Sequence, residues 1–85
     1  PCLMCFAALL LNGIRTIVFA YEDAMGGGTS TNLAHITPLY REMEVTITPF
    51  VLRQESLALF REFFANPRND YWRHSHLAEY TLDQP

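Results

Sequence analysis

Apolar residues run without interruption from Leu3 to Leu11. The run is rich in Leu and Ala and is followed by Gly13, so it predicts a helix over residues 2–12, apolar nearly all round, with Gly13 as its C-terminal cap. Residues 14–21 change character. Ile14, Thr16, Ile17, Val18, Phe19 and Tyr21 are β-branched or aromatic, the composition of a buried strand. Glu22, Asp23 and the triple glycine Gly26–Gly28 predict a flexible loop, continued through residues 29–32. Residues 33–41 are less regular, and a short helix broken at Pro38 is expected there. In residues 44–52, Val45 and Ile47 alternate with Thr46 and Thr48, a period of two that predicts a second strand ending at Pro49. Leu57, Phe60, Phe63 and Phe64 recur at helical spacing in residues 54–66, while Glu55, Arg61 and Glu62 fall outside the stripe. That stripe is read as core or subunit contact, and Pro67 stops the helix. The tail 67–85 has no assignment beyond a helical turn or two, with Tyr71 and Trp72 as a small packing anchor.

The order is helix, strand, loop with short helix, strand, helix, which is an α/β pattern. Strands separated by a dozen or more residues need a crossover, and this favours parallel pairing. A parallel pair is seldom stable alone, and its faces are normally both covered. The pattern therefore expects further strands.

Length sharpens this expectation. Eighty-five residues make one small domain or part of a larger one. A chain of this size buries roughly 60–65% of its unfolded surface, so a lone core is marginal. Yet 49% of the residues are hydrophobic and eleven are aromatic. Since several apolar runs look two-sided, part of that surface is expected to meet a partner or a further segment. The net charge is −3, with six arginines, no lysine and no basic cluster, which argues against a large nonspecific nucleic-acid footprint within these residues. No run approaches the ~20 apolar residues of a membrane span, and no signal-peptide pattern is visible. Two cysteines and no others do not make a secreted disulfide scaffold, so a reducing cytoplasm is expected.

Those cysteines carry the chemistry. Pro1-Cys2-Leu3-Met4-Cys5 puts two thiols one turn apart, on one face, at the start of an apolar helix. The first N–H groups of a helix lack intrahelical partners and favour negative charge, and the thiolate is the form that binds metal or attacks. Zinc ligation, a redox C-x-x-C and a pair of ordinary buried thiols all remain open at this point. Against the redox reading, no strand precedes the motif here.

Taken in order, Pro1-Cys2-x-x-Cys5, Ala8-Leu9, Gly13-Ile14-Arg15, Ile17-Val18-Phe19-Ala20, Asp23 and the glycine loop resemble the cytidine and deoxycytidylate deaminase superfamily. The likeness is closer to the tRNA-adenosine deaminase branch, which also includes guanine and cytosine deaminases. Val45-Thr46-Ile47-Thr48, Val51-Leu52 and Glu55 through Phe64 look like that branch's last strand and C-terminal helix. The likeness covers residues 1–64. It implies a three-layer α/β/α sandwich of which residues 1–85 are the C-terminal portion, and a hydrolytic deamination by zinc-bound hydroxide. Cys2 and Cys5 would be zinc ligands, the Cys2 N–H would stabilise developing negative charge, and Asp23 would bind substrate. The implied partners are a free base, nucleoside, nucleotide or tRNA, and a second copy in a homodimer, with no membrane.

Departures from the family pattern bound the claim. The H-x-E motif, which supplies the third ligand and the proton shuttle, is expected upstream of Pro1. Without it this chain is expected to be inactive, because losing general acid–base catalysis costs roughly 10²–10⁴-fold. Glu22 and Met25 stand where tRNA deaminases tend to carry basic residues, which weakens the case for an RNA substrate. His76 and Glu79 are one residue too far apart for H-x-E, so they and His74, like His35, are read as surface residues. The glycines lack the G-K-[ST] or G-x-G-x-x-G context of a phosphate cradle. Two rival functions stand behind the deaminase: a noncatalytic zinc module completed by a second chain, and a redox dithiol module.

Overall fold

The computed structural model describes all residues 1–85. Helix α1 spans Leu3–Leu11, with Cys2 as its extended N-cap and Asn12 as its C-cap. Its end is a Schellman motif. The Gly13 N–H donates to Leu10 O (3.1 Å) and the Ile14 N–H to Leu9 O (3.0 Å), with Gly13 at φ +87°, a conformation that glycine adopts without Cβ strain. The turn reverses the chain, so strand β1 (Thr16–Val18) runs back along α1. A 3-10 turn at Leu33–His35 and the short helix α2 (Pro38–Arg41) lead to strand β2 (Thr46–Thr48). Helices α3 (Arg53–Ala65) and α4 (His76–Asp83) complete the order.

The strands pair in parallel, with Thr16 opposite Thr46, Ile17 opposite Ile47 and Val18 opposite Thr48. The α/β class and the parallel pairing are as the pattern predicts, but both strands are shorter than residues 14–21 and 44–52. Ile14 is taken by the helix cap at one end. At the other, Phe50 and Leu52 adopt positive φ (67° and 56°) and swing the chain away. Hydrogen bonds persist just past the strands, from Thr46 N–H to Arg15 O (2.8 Å) and from Phe19 N–H to Thr48 O (3.1 Å).

Two further expectations need correction. Pro38 does not break the helix in residues 33–41 but begins α2, where its missing N–H costs nothing. The tail does hold the turn or two expected there, as the eight-residue α4, capped by the Ser75 side chain, which accepts from the Ala78 N–H at 3.1 Å. The glycine loop is pinned rather than loose. The Gly28 N–H donates to Pro1 O at 2.8 Å, and a Cβ on Gly28 would lie 2.7 Å from Leu3 Cα.

The core is one-sided. Phe6 and Leu10 of α1 meet Ile17 of β1, with Leu9, Leu33, Tyr40, Met43, Val45 and Ile47 packed around them. Val45 and Ile47 thus face inward, as their alternation predicts, while Thr16, Val18, Thr46 and Thr48 on the opposite face are exposed. The outer side of α1, with Leu3, Met4 and Leu11, is also exposed. In α3 only Leu57 is fully buried, while Phe60 and Phe63 remain substantially exposed. The radius of gyration is 14.8 Å, against about 12 Å for a compact domain of this length.

Candidate functional site

The reversal at Gly13 brings the N-terminus of α1 to the carboxyl ends of the parallel strands, the usual position of ligand sites in open α/β sheets. Cys2 faces Gly27 in an isolated antiparallel bridge, which, with the Gly28–Pro1 bond, fixes the loop after β1 against the helix mouth. Two adjoining cavities of about 280 Å³ and 230 Å³ lie there and share Pro1, Tyr21, Glu22 and Asp23. The larger is walled by Phe19, Ile47, Pro49 and Phe50. The smaller contains Cys2, Phe60 and Leu77.

Both thiols are exposed and reduced. Cys2 makes no capping hydrogen bond of ordinary geometry, yet its thiol is held below the usual value. The chief cause is the unpartnered N–H of Cys5, followed by the Cys5 thiol. The Cys5 thiol is raised, first by its interaction with the Cys2 side chain and then by Cys2's charge, so the two titrate as a pair. The Cys2 N–H donates to no group within the chain.

Two soft sulfur donors on one side of a helix mouth suit two of the four positions of a zinc ion. They are not joined by others, for no group of three or more His, Cys, Asp or Glu is assembled anywhere in the structure. His35, His74 and His76 are exposed.

Asp23 lies in the wall of both cavities, and its side chain serves its own loop. Asp23 Oδ1 accepts from the N–H groups of Met25 (3.0 Å) and Gly26 (2.9 Å), and its carbonyl accepts from Gly27 N–H at 3.0 Å. An Asx turn of this kind shapes the loop locally. Sequence reasoning did not single out the neighbouring group that ties the site to the rest of the chain. Glu22 accepts from Arg53 Nε (2.9 Å) and Arg53 Nη2 (2.7 Å) and from the Tyr80 hydroxyl (2.8 Å). The Arg53 bonds, the largest influence, hold the Glu22 carboxyl down to about 2. Arg53 also lies over the Tyr21 ring at 5.4 Å, and the Tyr21 hydroxyl bonds Thr81 Oγ1 at 2.8 Å. The only sequence signal for this set is an acid directly after a strand and an arginine at a helix start, and neither specifies its partner.

No helix is long and apolar enough to cross a membrane. Comparison with protein-family models, with curated proteins and with solved structures finds no match for this chain.

Proposed function

We propose that these residues form the thiol-bearing part of a zinc-dependent hydrolytic deaminase of nucleobases, nucleosides, nucleotides or tRNA adenosine. One observation carries the reading: two exposed thiols one turn apart at the free N-terminus of an apolar helix, where two parallel strands end. Cys2 and Cys5 would hold the metal. Bound zinc supplies a water acidic enough to be hydroxide at neutral pH. Both would bind as thiolates, and the Cys2 thiol lies below its ordinary value because of the Cys5 N–H. The free Cys2 N–H is suited to a developing oxyanion, the kind of preorganised donor that stabilises such charge strongly. Phe19 and Phe50, edge to face at 6.3 Å, offer an apolar wall to a planar ring. Asp23 keeps the loop in place beside it.

The His ligand and the Glu proton shuttle must come from outside these residues, so the chain by itself is expected to be inactive. Its bare strand face and outer α1 face suit a further segment or a second copy, and a homodimer in the cytoplasm is part of the proposal. A second reading, a redox dithiol, draws on the same unequal thiols, because an acidic N-terminal cysteine in C-x-x-C is what disulfide exchange uses.

The deciding measurement is elemental analysis of the reduced protein joined to a segment carrying H-x-E, so that all three ligands are present, and purified without chelators. Stoichiometric zinc that is lost in Cys2→Ala and Cys5→Ala is expected. Joined to a segment carrying H-x-E, the protein should then release ammonia from at least one of a panel of bases, nucleosides and a tRNA stem-loop. Thiols that ignore added zinc and close to a reversible disulfide overturn the proposal in favour of the redox reading. One zinc per pair of chains without ammonia release overturns it in favour of a scaffold.

A further inference from the structure

Phe50 stands where the backbone favours glycine. It adopts φ 67°, in the left-handed region that is unfavourable for a bulky side chain and nearly free for glycine. Packing does not offset that strain, for Phe50 is 56% exposed. The chain around it is nevertheless fixed on both sides. The Val51 N–H donates to Phe19 O (3.1 Å), and the Phe19 N–H donates to Thr48 O (3.1 Å). Strain held in place in this way is concentrated at ligand sites, and Phe50 lies in the wall of the cavity of about 280 Å³ at the strand ends. There it meets Phe19 edge to face, with ring centroids 6.3 Å apart and planes at 73°. Such a pair leaves ring faces open to a third ring.

The rest of the wall sets the character of that ring. Thr29 and Ser30 supply hydroxyls, which donate or accept at a polar edge. Glu22 and Asp23 supply carboxylates, and no Arg side chain lines the cavity. Glu22 is matched by Arg53, whereas Asp23 has no cation beside it. The loop uses only Oδ1 of Asp23, which leaves Oδ2 to accept from an N–H donor. We propose that this cavity is a stacking site for an uncharged amino-bearing heterocycle, free or as its nucleoside. Phe50 is the stacking residue, and the Asp23 charge turns phosphate away. The volume, just below the range that holds drug-sized ligands, suits one ring system with at most a sugar. The proposal narrows the substrate of the site described above and rests on the deaminase reading for the chemistry done there. Binding itself requires neither zinc nor turnover.

The test uses the full chain, reduced and chelator-treated, with its N-terminus acetylated so that Pro1, which also lines the cavity, carries no charge. Adenine, cytosine, their nucleosides and the matching 5′-monophosphates are titrated in turn, and the ring protons of Phe19 and Phe50 are followed by nuclear magnetic resonance. At least one uncharged probe should shift both rings saturably, and the 5′-monophosphate of that base should bind at least about tenfold more weakly. Asp23→Asn, which keeps the Oδ1 acceptor of the loop, should narrow that gap. Phe50→Leu should weaken binding about tenfold, the low end of what stacking a base on an aromatic ring contributes. Phe50→Tyr should bind like the parent. Phe50→Gly should lose binding while its thermal midpoint stays at or above the parent's, because the strain leaves with the side chain. Leu52→Gly relieves strain of the same kind (φ 56°) outside the cavity and should leave binding unchanged. The proposal is overturned if no uncharged probe gives saturable shifts up to about 10 mM, or if a 5′-monophosphate binds as well as its nucleoside. Phe50 variants that lose stability and keep affinity overturn the role given to that residue. Binding by a protein that ignores zinc leaves this site standing and the deaminase reading overturned, and zinc uptake without binding does the reverse.

Discussion

At the scale of single residues, the site depends on close approach as much as on reactive groups. Gly28 is buried against the first turn of α1, where a Cβ would meet Leu3 Cα at 2.7 Å and Leu3 N at 2.9 Å. Neither atom belongs to a flexible side chain, so the loop or the helix mouth must shift. Gly28→Ala is expected to cost about 1–3 kcal/mol and to lower the midpoint of thermal unfolding by several degrees, which calorimetry would measure. An unchanged midpoint would mean that the loop does not press on the helix. Gly26, whose added Cβ would meet only a carboxylate oxygen at 3.4 Å, should tolerate the same change far better. The triple glycine was legible as a break in regular structure. That Gly27 presses on the Asp23 carbonyl (2.6 Å) and Gly28 on α1 was not, because that depends on how the loop turns and on α1 lying beside it. Cys2 and Cys5 were legible as a pair at a helix start, since three-residue spacing and a following apolar run suffice for that. The lowering of the Cys2 thiol was not legible, because it depends on where the Cys5 amide and side chain lie relative to it.

Elements differ in how much of their apolar surface they use. Leu10 and Leu11 are neighbours of the same type in α1, yet Leu10 is 1% exposed and Leu11 57%. Leu10→Ala should remove about 2–5 kcal/mol, most or all of the stability available to so small a core. Leu11→Ala should stay within about 0.5 kcal/mol. Urea unfolding followed by circular dichroism separates the two, and similar losses at both positions would sink the one-sided core. The existence of α1 and α3 followed from composition and periodicity, and α3 begins within one residue of its expected start. The strands were recognised but overextended, because a strand ends where its partner ends. Here Phe50 and Leu52, in left-handed conformations that their side chains do not favour, turn the chain into α3 and cut both strands short. The turn or two expected in the tail is the eight-residue α4, but its packing on α3 and its bonds to Tyr21 and Glu22 were not legible, because they join residues far apart in the chain.

Across the whole molecule, the Glu22–Arg53–Tyr80 cluster fastens the C-terminal helix to the sheet end. The Glu22 carboxyl lies lower in the folded chain, at about 2, than its ordinary 4.5. A depressed acid contributes stability that is present above the unfolded value and is lost as pH falls through the folded one. The cluster should therefore hold at neutral pH and weaken between about pH 4.5 and pH 2. In Glu22→Gln that part of the acid-unfolding curve should flatten, with a lower plateau at neutral pH, as read by denaturant midpoints across the range. A parallel displacement of the whole curve with no change of slope would show that the ion pair contributes nothing as a charge. The sequence by itself determined the α/β order, the parallel pairing, the inward set of Val45 and Ile47 and the helix-mouth thiols, because these rest on local periodicity, capping and connection length. Only the tertiary structure decided which apolar surfaces close on one another, that Glu22 belongs to Arg53 and Tyr80, and that Leu77 and Cys2 line one cavity. Those depend on contacts between residues far apart in the chain, which no local pattern encodes.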